Sequence, residues 1–218
     1  ELEVNPGETQ AGVVKVYNET KETIFLSSSV ESFTTGDEPG KPVYLPEDEG
    51  AAHLSWFTLS QENLTLKENQ ISIVPFEVTV PADAIPGGYY SVIFWNAVPD
   101  FTEGKSQVGI GSKVGTLVFL KVKGDLIEQG EIINFKVKSD KAYLGFPVNF
   151  SFTFSNTGNI HLAPAGVIEL VNWFGQKQQI KVNSFGNNVL PGSARSFETV
   201  WGKIDGSNFA NSFLDNLK

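Results

Sequence analysis

The stretch "GVVKVYNETKETIFL" at residues 12–26 decides the fold. Two apolar, β-branched runs flank the short polar segment "NETKE". Such runs read as strands, and a polar link of this length makes them a hairpin or a corner between two sheets. The same design returns as "VNFSFTFSNTGNIHL" at residues 148–162: a strand ending in Asn, a polar turn, an apolar restart. A second echo pairs "LTLKENQISIVPFEVTV" (64–80) with "NVLPGSARSFETVW" (188–201). Each has a Leu, a polar turn carrying Asn or Ser, and then Phe-Glu. Two echoes in the same order indicate two copies of one structural unit.

Strand signals fill the rest of the chain. "ISIVPFEVTV" (71–80) ends in clear alternation, with Phe76, Val78 and Val80 on one face and Glu77 and Thr79 on the other. "VGTLVFLKVKG" (114–124) is a further strand, and the Gly-, Pro- and acid-rich segment 34–50 reads as a long surface loop or an irregular hairpin. "GIGSKVG" (109–115) has a strand after it instead of a helix, so a hairpin or bulge is expected there and not a phosphate loop. After Gly124 a new series of short strands begins, at 133–139, 147–156, 166–172, 178–184 and 194–201. The expectation is an all-β protein of two tandem immunoglobulin-like β-sandwich domains, residues 1–123 and 124–218.

One strand is richer than the others. In "PADAIPGGYYSVIFWN" (81–96) a Pro-Gly-Gly turn enters a run with two apolar faces: Tyr90, Val92 and Phe94 on one, Tyr89, Ile93 and Trp95 on the other. A central strand is expected, with one aromatic face beyond what a sandwich needs. No counterpart follows Trp201, where "GKIDGSNFANSFLDNLK" is polar with weak helical spacing at Phe209, Phe213 and Leu217. The second domain is therefore expected to be truncated at its C-terminal side, or completed by residues outside this sequence. Either would leave a sheet edge or groove open.

Composition narrows the function classes. The 218 residues are 40% hydrophobic and 19% charged, which is ordinary for globular domains. A net charge of −9 disfavours nucleic acid and anionic membrane surfaces as partners. No Cys is present, so disulfides, thiolate nucleophiles and Cys-based zinc sites are excluded. The chain has no Met even at position 1, and the expectation is a mature or excised piece from which a signal peptide or anchor has been removed.

Candidate sites are few. His53 and His161 are the only histidines and neither sits in a catalytic motif, so no enzyme is expected. Exposed aromatics are the usual platform for sugars and protein hot spots, which makes Trp56, Tyr89, Trp95 and Trp173 the candidate ligand-binding residues. Asp37, Asp48 and Glu49 in the acidic loop are candidate Ca²⁺ ligands. Their spacing does not match an EF-hand and Pro39, Pro42 and Pro46 interrupt it, so a solvated acidic loop is the plainer reading and no cofactor is otherwise expected. Asn18, Asn63 and Asn149 open Asn-x-Ser/Thr triplets.

Three elements in order carry a family resemblance: "NPGETQAGVVKVYNETKETIFL", "LTLKENQISIVPFEVTVPADA" and "IPGGYYSVIFWN". This order resembles the N-terminal domain of bacterial WxL-interacting cell-surface proteins, described as peptidoglycan-binding, and the wider group of pilus-chaperone-like immunoglobulin domains. The second half is similar to the second Ig-like domain of related bacterial surface proteins, in which a C-terminal membrane helix follows. The resemblance implies a non-enzymatic, extracellular, membrane-anchored adhesion or binding protein. Its partner would be cell-wall glycan or another surface protein, and it would touch the membrane only through an anchor absent from this chain. The alternative is a secreted chaperone-like assembly factor acting by strand complementation. The chaperones' basic anchoring pair is not recognisable here, and no peptidoglycan-contacting residue carries over.

Overall fold

The computed structural model describes residues 1–35, 42–45, 51–98, 112–137 and 147–202. Their regular structure is strand apart from one short 3-10 turn, and they divide into two compact units, with the division between Leu126 and Ile127. Both units are immunoglobulin-like β-sandwiches.

In the first unit, one sheet runs β1 (Leu2–Val4), β9 (Lys113–Val122), β8 (Gly87–Val98), β3 (Ile24–Thr35), β4 (Pro42–Leu45), with β6 (Asn63–Leu66) also on β3. The other sheet runs β2 (Thr9–Tyr17), β7 (Ile71–Thr79), β5 (Phe57–Leu59). β2 and β3 belong to different sheets, so "NETKE" is a corner and not a hairpin. The described part of segment 34–50 does form a hairpin arm, with Ser32 to Thr35 paired against Leu45 to Pro42. Alternation decides which side chains meet between the sheets. Val74, Phe76, Val78 and Val80 point inward from one sheet, and Leu26, Ile93, Trp95 and Leu120 from the other.

β8 is central, between β9 and β3, as its two apolar faces require. Its outward face is also buried. Phe33, Tyr90 and Phe119 meet edge to face at centroid distances of 5.5–5.9 Å, and Tyr44 meets Phe94 at 5.0 Å. The Lys113 ammonium sits 3.7 Å above the Phe94 ring and pairs with Glu31. The surplus aromatic face is thus a second packed layer.

In the second unit, β10 (Gly130–Val137), β11 (Val148–Asn156) and β14 (Ala194–Trp201) form one sheet, and β12 (Gly166–Val171) and β13 (Lys177–Val182) a two-stranded one. Its buried apolar residues include Val148, Phe150, Ile160 and Leu190, and a cluster of Phe152, Val189 and Phe197 with Phe154 and Val182 against it. The Phe152 and Phe197 rings stack at 5.1 Å.

Hydrogen bonds prove that the two units repeat one design. Asn18 and Asn156 are both buried at the end of the equivalent strand. Asn18 Nδ2 donates to the carbonyls of Glu22, Leu66 and Lys67, and its Oδ1 accepts from Thr20 N. Asn156 Nδ2 donates to the carbonyls of Ile160 and Val189, and its Oδ1 accepts from Gly158 N. The backbones agree as well. Asn18 N bonds Gln70 O and Asn156 N bonds Ser193 O, while Asn69 N and Gly192 N return to the two Asn carbonyls. Asn69 and Gly192 both hold positive φ, 57° and 68°. This register makes Val74 the equivalent of Phe197, two residues away from the Phe-Glu match read in the sequence.

Candidate functional site

Two aromatic settings stand out, one in each unit. In the first unit a short 3-10 turn, Ala52–Trp56, enters β5. It brings His53 and Trp56 to Tyr89 of β8, with ring centroids 4.8 Å apart for Trp56–Tyr89, 5.4 Å for His53–Tyr89 and 6.1 Å for His53–Trp56. The Tyr89 hydroxyl donates to Ile85 O at 2.7 Å, and burial raises its pKa. Two of the four expected ligand-binding aromatics therefore converge, and both pack against the core.

His53 completes this cluster, and its role was not readable from its lone place in "EGAAHLSWF". It is buried, and its Nε2 has no hydrogen-bond partner. Burial lowers the imidazole pKa below its ordinary value, and a hydrogen bond to the Tyr90 backbone opposes that only in part. The unfolded chain thus binds the proton more readily than the folded one. The stability due to neutral His53 is present above about pH 6.5 and is lost as pH falls below that value. Tyr89, its titratable described neighbour, stays neutral throughout this range. Expected result: the fall in Tm between pH 7.5 and pH 5 is smaller in His53→Gln than in the native chain. Equal falls would show that His53 is not desolvated.

Trp95 requires a correction. It is 3% exposed and packs between the sheets, with its Nε1 unpartnered, so it is a core residue and not a platform for a ligand. Strand alternation puts it on the same inward face as Ile93. Asp37, Asp48 and Glu49 lie outside the described residues, as do Phe209, Phe213 and Leu217. Among the described residues no three His, Asp or Glu side chains converge on a metal-sized site. Asn18 Nδ2 is committed to three internal hydrogen bonds, so its triplet is not an accessible modification site in the folded chain. Asn63 is exposed.

The second unit carries the open features. The β10 residues Ile132, Phe135 and Val137 stand opposite Phe154, Phe152 and Phe150 of β11, so all six share the core face. Ile132, Phe135 and Val137 are nevertheless 61%, 51% and 48% exposed. Ile132 and Phe135, together with Phe152, Phe154, Val167 and Val182, line an apolar cleft of about 400 Å³ between the two sheets. The repeat explains the opening. The Ile24–Leu66 pair of the first unit corresponds to the Leu162–Val189 bridge of the second, which makes β12 the equivalent of β3. β3 is paired with β8 along its length, besides β4 and β6. Among the described residues β12 pairs with β13 alone.

Trp173, the fourth expected aromatic, is at the tip of the β12–β13 hairpin and is 102% exposed. Sequence reasoning missed Phe135 and Ile132 as site residues, because Phe135 read as an ordinary position of the strand "INFKVKS" (133–139) and Ile132 fell just before it. Their exposure depends on which strands lie over them, and among the described residues none pairs with β12 on that side.

No helix among the described residues is long and apolar enough to cross a membrane. No family model matches the chain, and no curated protein matches it, so the cell-wall reading rests on the sequence resemblance alone. Solved structures do resemble it. The class 5 fimbriae chaperone CfaA is 12% identical with a TM-score of 0.45, covering 94% of this chain and 91% of that one. The CupB2 chaperone of Pseudomonas aeruginosa is 12% identical with a TM-score of 0.43, covering 95% and 94%. The CsuC–CsuE chaperone–tip adhesion subunit complex of Acinetobacter baumannii gives 12%, 0.44, 93% and 86%. At these values the likeness is one of immunoglobulin-type layout, and neither partner nor activity follows from it.

Proposed function

We propose that this is a non-enzymatic binding protein of the cell exterior that takes up an extended segment of a partner surface protein as an added β-strand on its second unit. The observation that carries this reading is the exposed core face of β10 opposite a flank of β12 that has no strand partner among the described residues. Strand addition suits such a place because main-chain hydrogen bonds supply affinity, while pockets for alternate side chains supply selection. The repeat names the chemistry of the occupant. On β3 the equivalent place is filled by β8, whose "YYSVIFWN" puts a large apolar side chain at nearly every position. A partner strand with bulky apolar residues at alternate positions would cover Ile132 and Phe135 in the same manner.

The test uses a synthetic peptide of the β8 sequence from Gly88 to Val98. Amide exchange in β12 is expected to slow when the peptide is added, and Phe135→Asp, a change at an exposed position, is expected to abolish the slowing. Unchanged β12 exchange at saturating peptide, or retention of the protein on peptidoglycan that Phe135→Asp does not weaken, would sink the strand reading.

A further inference from the structure

We propose that the Trp173–Phe174 tip of the β12–β13 hairpin is a membrane-contact element that dips into the interfacial zone of a zwitterionic lipid bilayer. This is independent of strand uptake at the cleft.

Folding gives these two residues no reason to be aromatic. Trp173 is 102% exposed and Phe174 75%, so neither ring is buried in its own unit. The backbone beneath them is nonetheless fixed. Asn172 Oδ1 accepts from Phe174 N at 3.0 Å and from Gln176 N at 2.9 Å, and Asn172 Nδ2 donates to Gln176 Oε1 at 2.7 Å. Asn172 N donates to Gln176 O, and Gly175 N to Asn172 O. Gly175 holds a φ of 77°, which closes the turn without steric cost. Two large rings are thus displayed on a rigid support, and little further order is lost when they are buried.

Three properties point to a bilayer interface as the occupant. First, the amides of Asn172, Phe174, Gly175 and Gln176 are all satisfied within the turn, so their removal from bulk water leaves no orphaned donor among them. Second, "LVNWFGQ", residues 170–176, carries no charge, although the chain as a whole has a net charge of −9. The nearest charges behind the tip, Glu169 and Lys177, pair with each other at 2.9 Å. Third, Trp is the side chain most at home at the water–hydrocarbon boundary, and Phe174 with the half-exposed Val171 extends the apolar surface behind it. A sugar site fits less well, because both functional atoms of the Asn172 amide and the Gln176 Oε1 are engaged in holding the turn and do not face a ligand. The acidic chain also sets the lipid class, since anionic headgroups would repel it.

The experiment is sedimentation with phosphatidylcholine vesicles, together with quenching of Trp fluorescence by brominated phosphatidylcholine. The native chain is expected to pellet with vesicles and to be quenched. The double variant W173A/F174A is expected to lose at least about tenfold in apparent affinity. It keeps every hydrogen bond of the turn, so its Tm should match that of the native chain and report intact folding. Phe135→Asp should bind vesicles as the native chain does, which separates this result from that of the cleft. No vesicle binding by the native chain overturns the assignment. So does equal binding by W173A/F174A, binding that requires anionic lipid, or Trp173-dependent retention on peptidoglycan without vesicle binding.

Discussion

Asn18→Ala is expected to cost about 3 kcal/mol of stability, the largest loss of any single polar substitution here. The side chain makes three donor contacts to main-chain carbonyls at 2.8–3.0 Å and accepts from both the Thr20 amide and the Thr20 hydroxyl. It joins the end of β2, the corner, and the stretch between β6 and β7. Alanine would leave several of these groups unpaired, and an unmade buried hydrogen bond costs about 1–3 kcal/mol. Asn18→Asp separates hydrogen bonding from packing. It keeps the shape and the acceptor oxygen but replaces the donating amide with a carboxylate that faces three carbonyls. It should be no more stable than Asn18→Ala at pH 7. Asn156→Ala removes a smaller set and should cost about 2 kcal/mol, in the second unit. Urea unfolding measures the loss, and amide exchange assigns it to a unit. A loss of less than about 0.5 kcal/mol for Asn18→Ala, the size of an ordinary surface change, would remove Asn18 as the anchor of the corner.

These anchors show how far the sequence reaches. The two Asn residues were legible as strand ends, because a polar residue closing an apolar run is a local signal. Their burial was not, since Leu66 and Val189, whose carbonyls they bind, are distant in sequence. The two-residue slip between Phe76 and Val74 as the partner of Phe197 has a similar cause. A shift by two keeps every side chain on its face, so alternation cannot detect it. β1, β4, β5 and β6, three or four residues each, are too short to carry a period. For the candidate sites, the aromatics were visible but their exposure was not. Trp56, Tyr89, Trp95 and Trp173 read alike along the chain. In space two form a cluster with His53, one is core, and one projects into solvent, according to which strand face and which neighbour each meets.

Gly158 is expected to tolerate no side chain, although its counterpart Thr20 carries one. Both follow their Asn by two residues, and each amide donates to that Asn side chain. In the first unit the Thr20 hydroxyl adds a bond to Asn18 Oδ1 at 2.7 Å. In the second unit residues 127–129 run directly over the turn. Ile127 N donates to Asn159 Oδ1 at 2.7 Å, and the amides of Thr157 and Gly158 both donate to Gln129 O. A Cβ at position 158 would lie 2.0 Å from the Ile127 carbonyl oxygen. That atom is backbone and is tied down by the same bonds, so it cannot move aside cheaply. Relief requires breaking the contacts that fasten 127–129 to the turn, about 3 kcal/mol for several hydrogen bonds and the repacking they bring. The reciprocal exchange discriminates between this account and a general intolerance of the turn. Gly158→Thr should strongly destabilise the second unit and expose the amides of 127–129 to exchange. Thr20→Gly should cost only about 1 kcal/mol, for one hydroxyl bond and a looser backbone. Comparable losses in the two variants would mean that the two turns are held in the same way, and that the glycine is not there to admit the overlying segment 127–129.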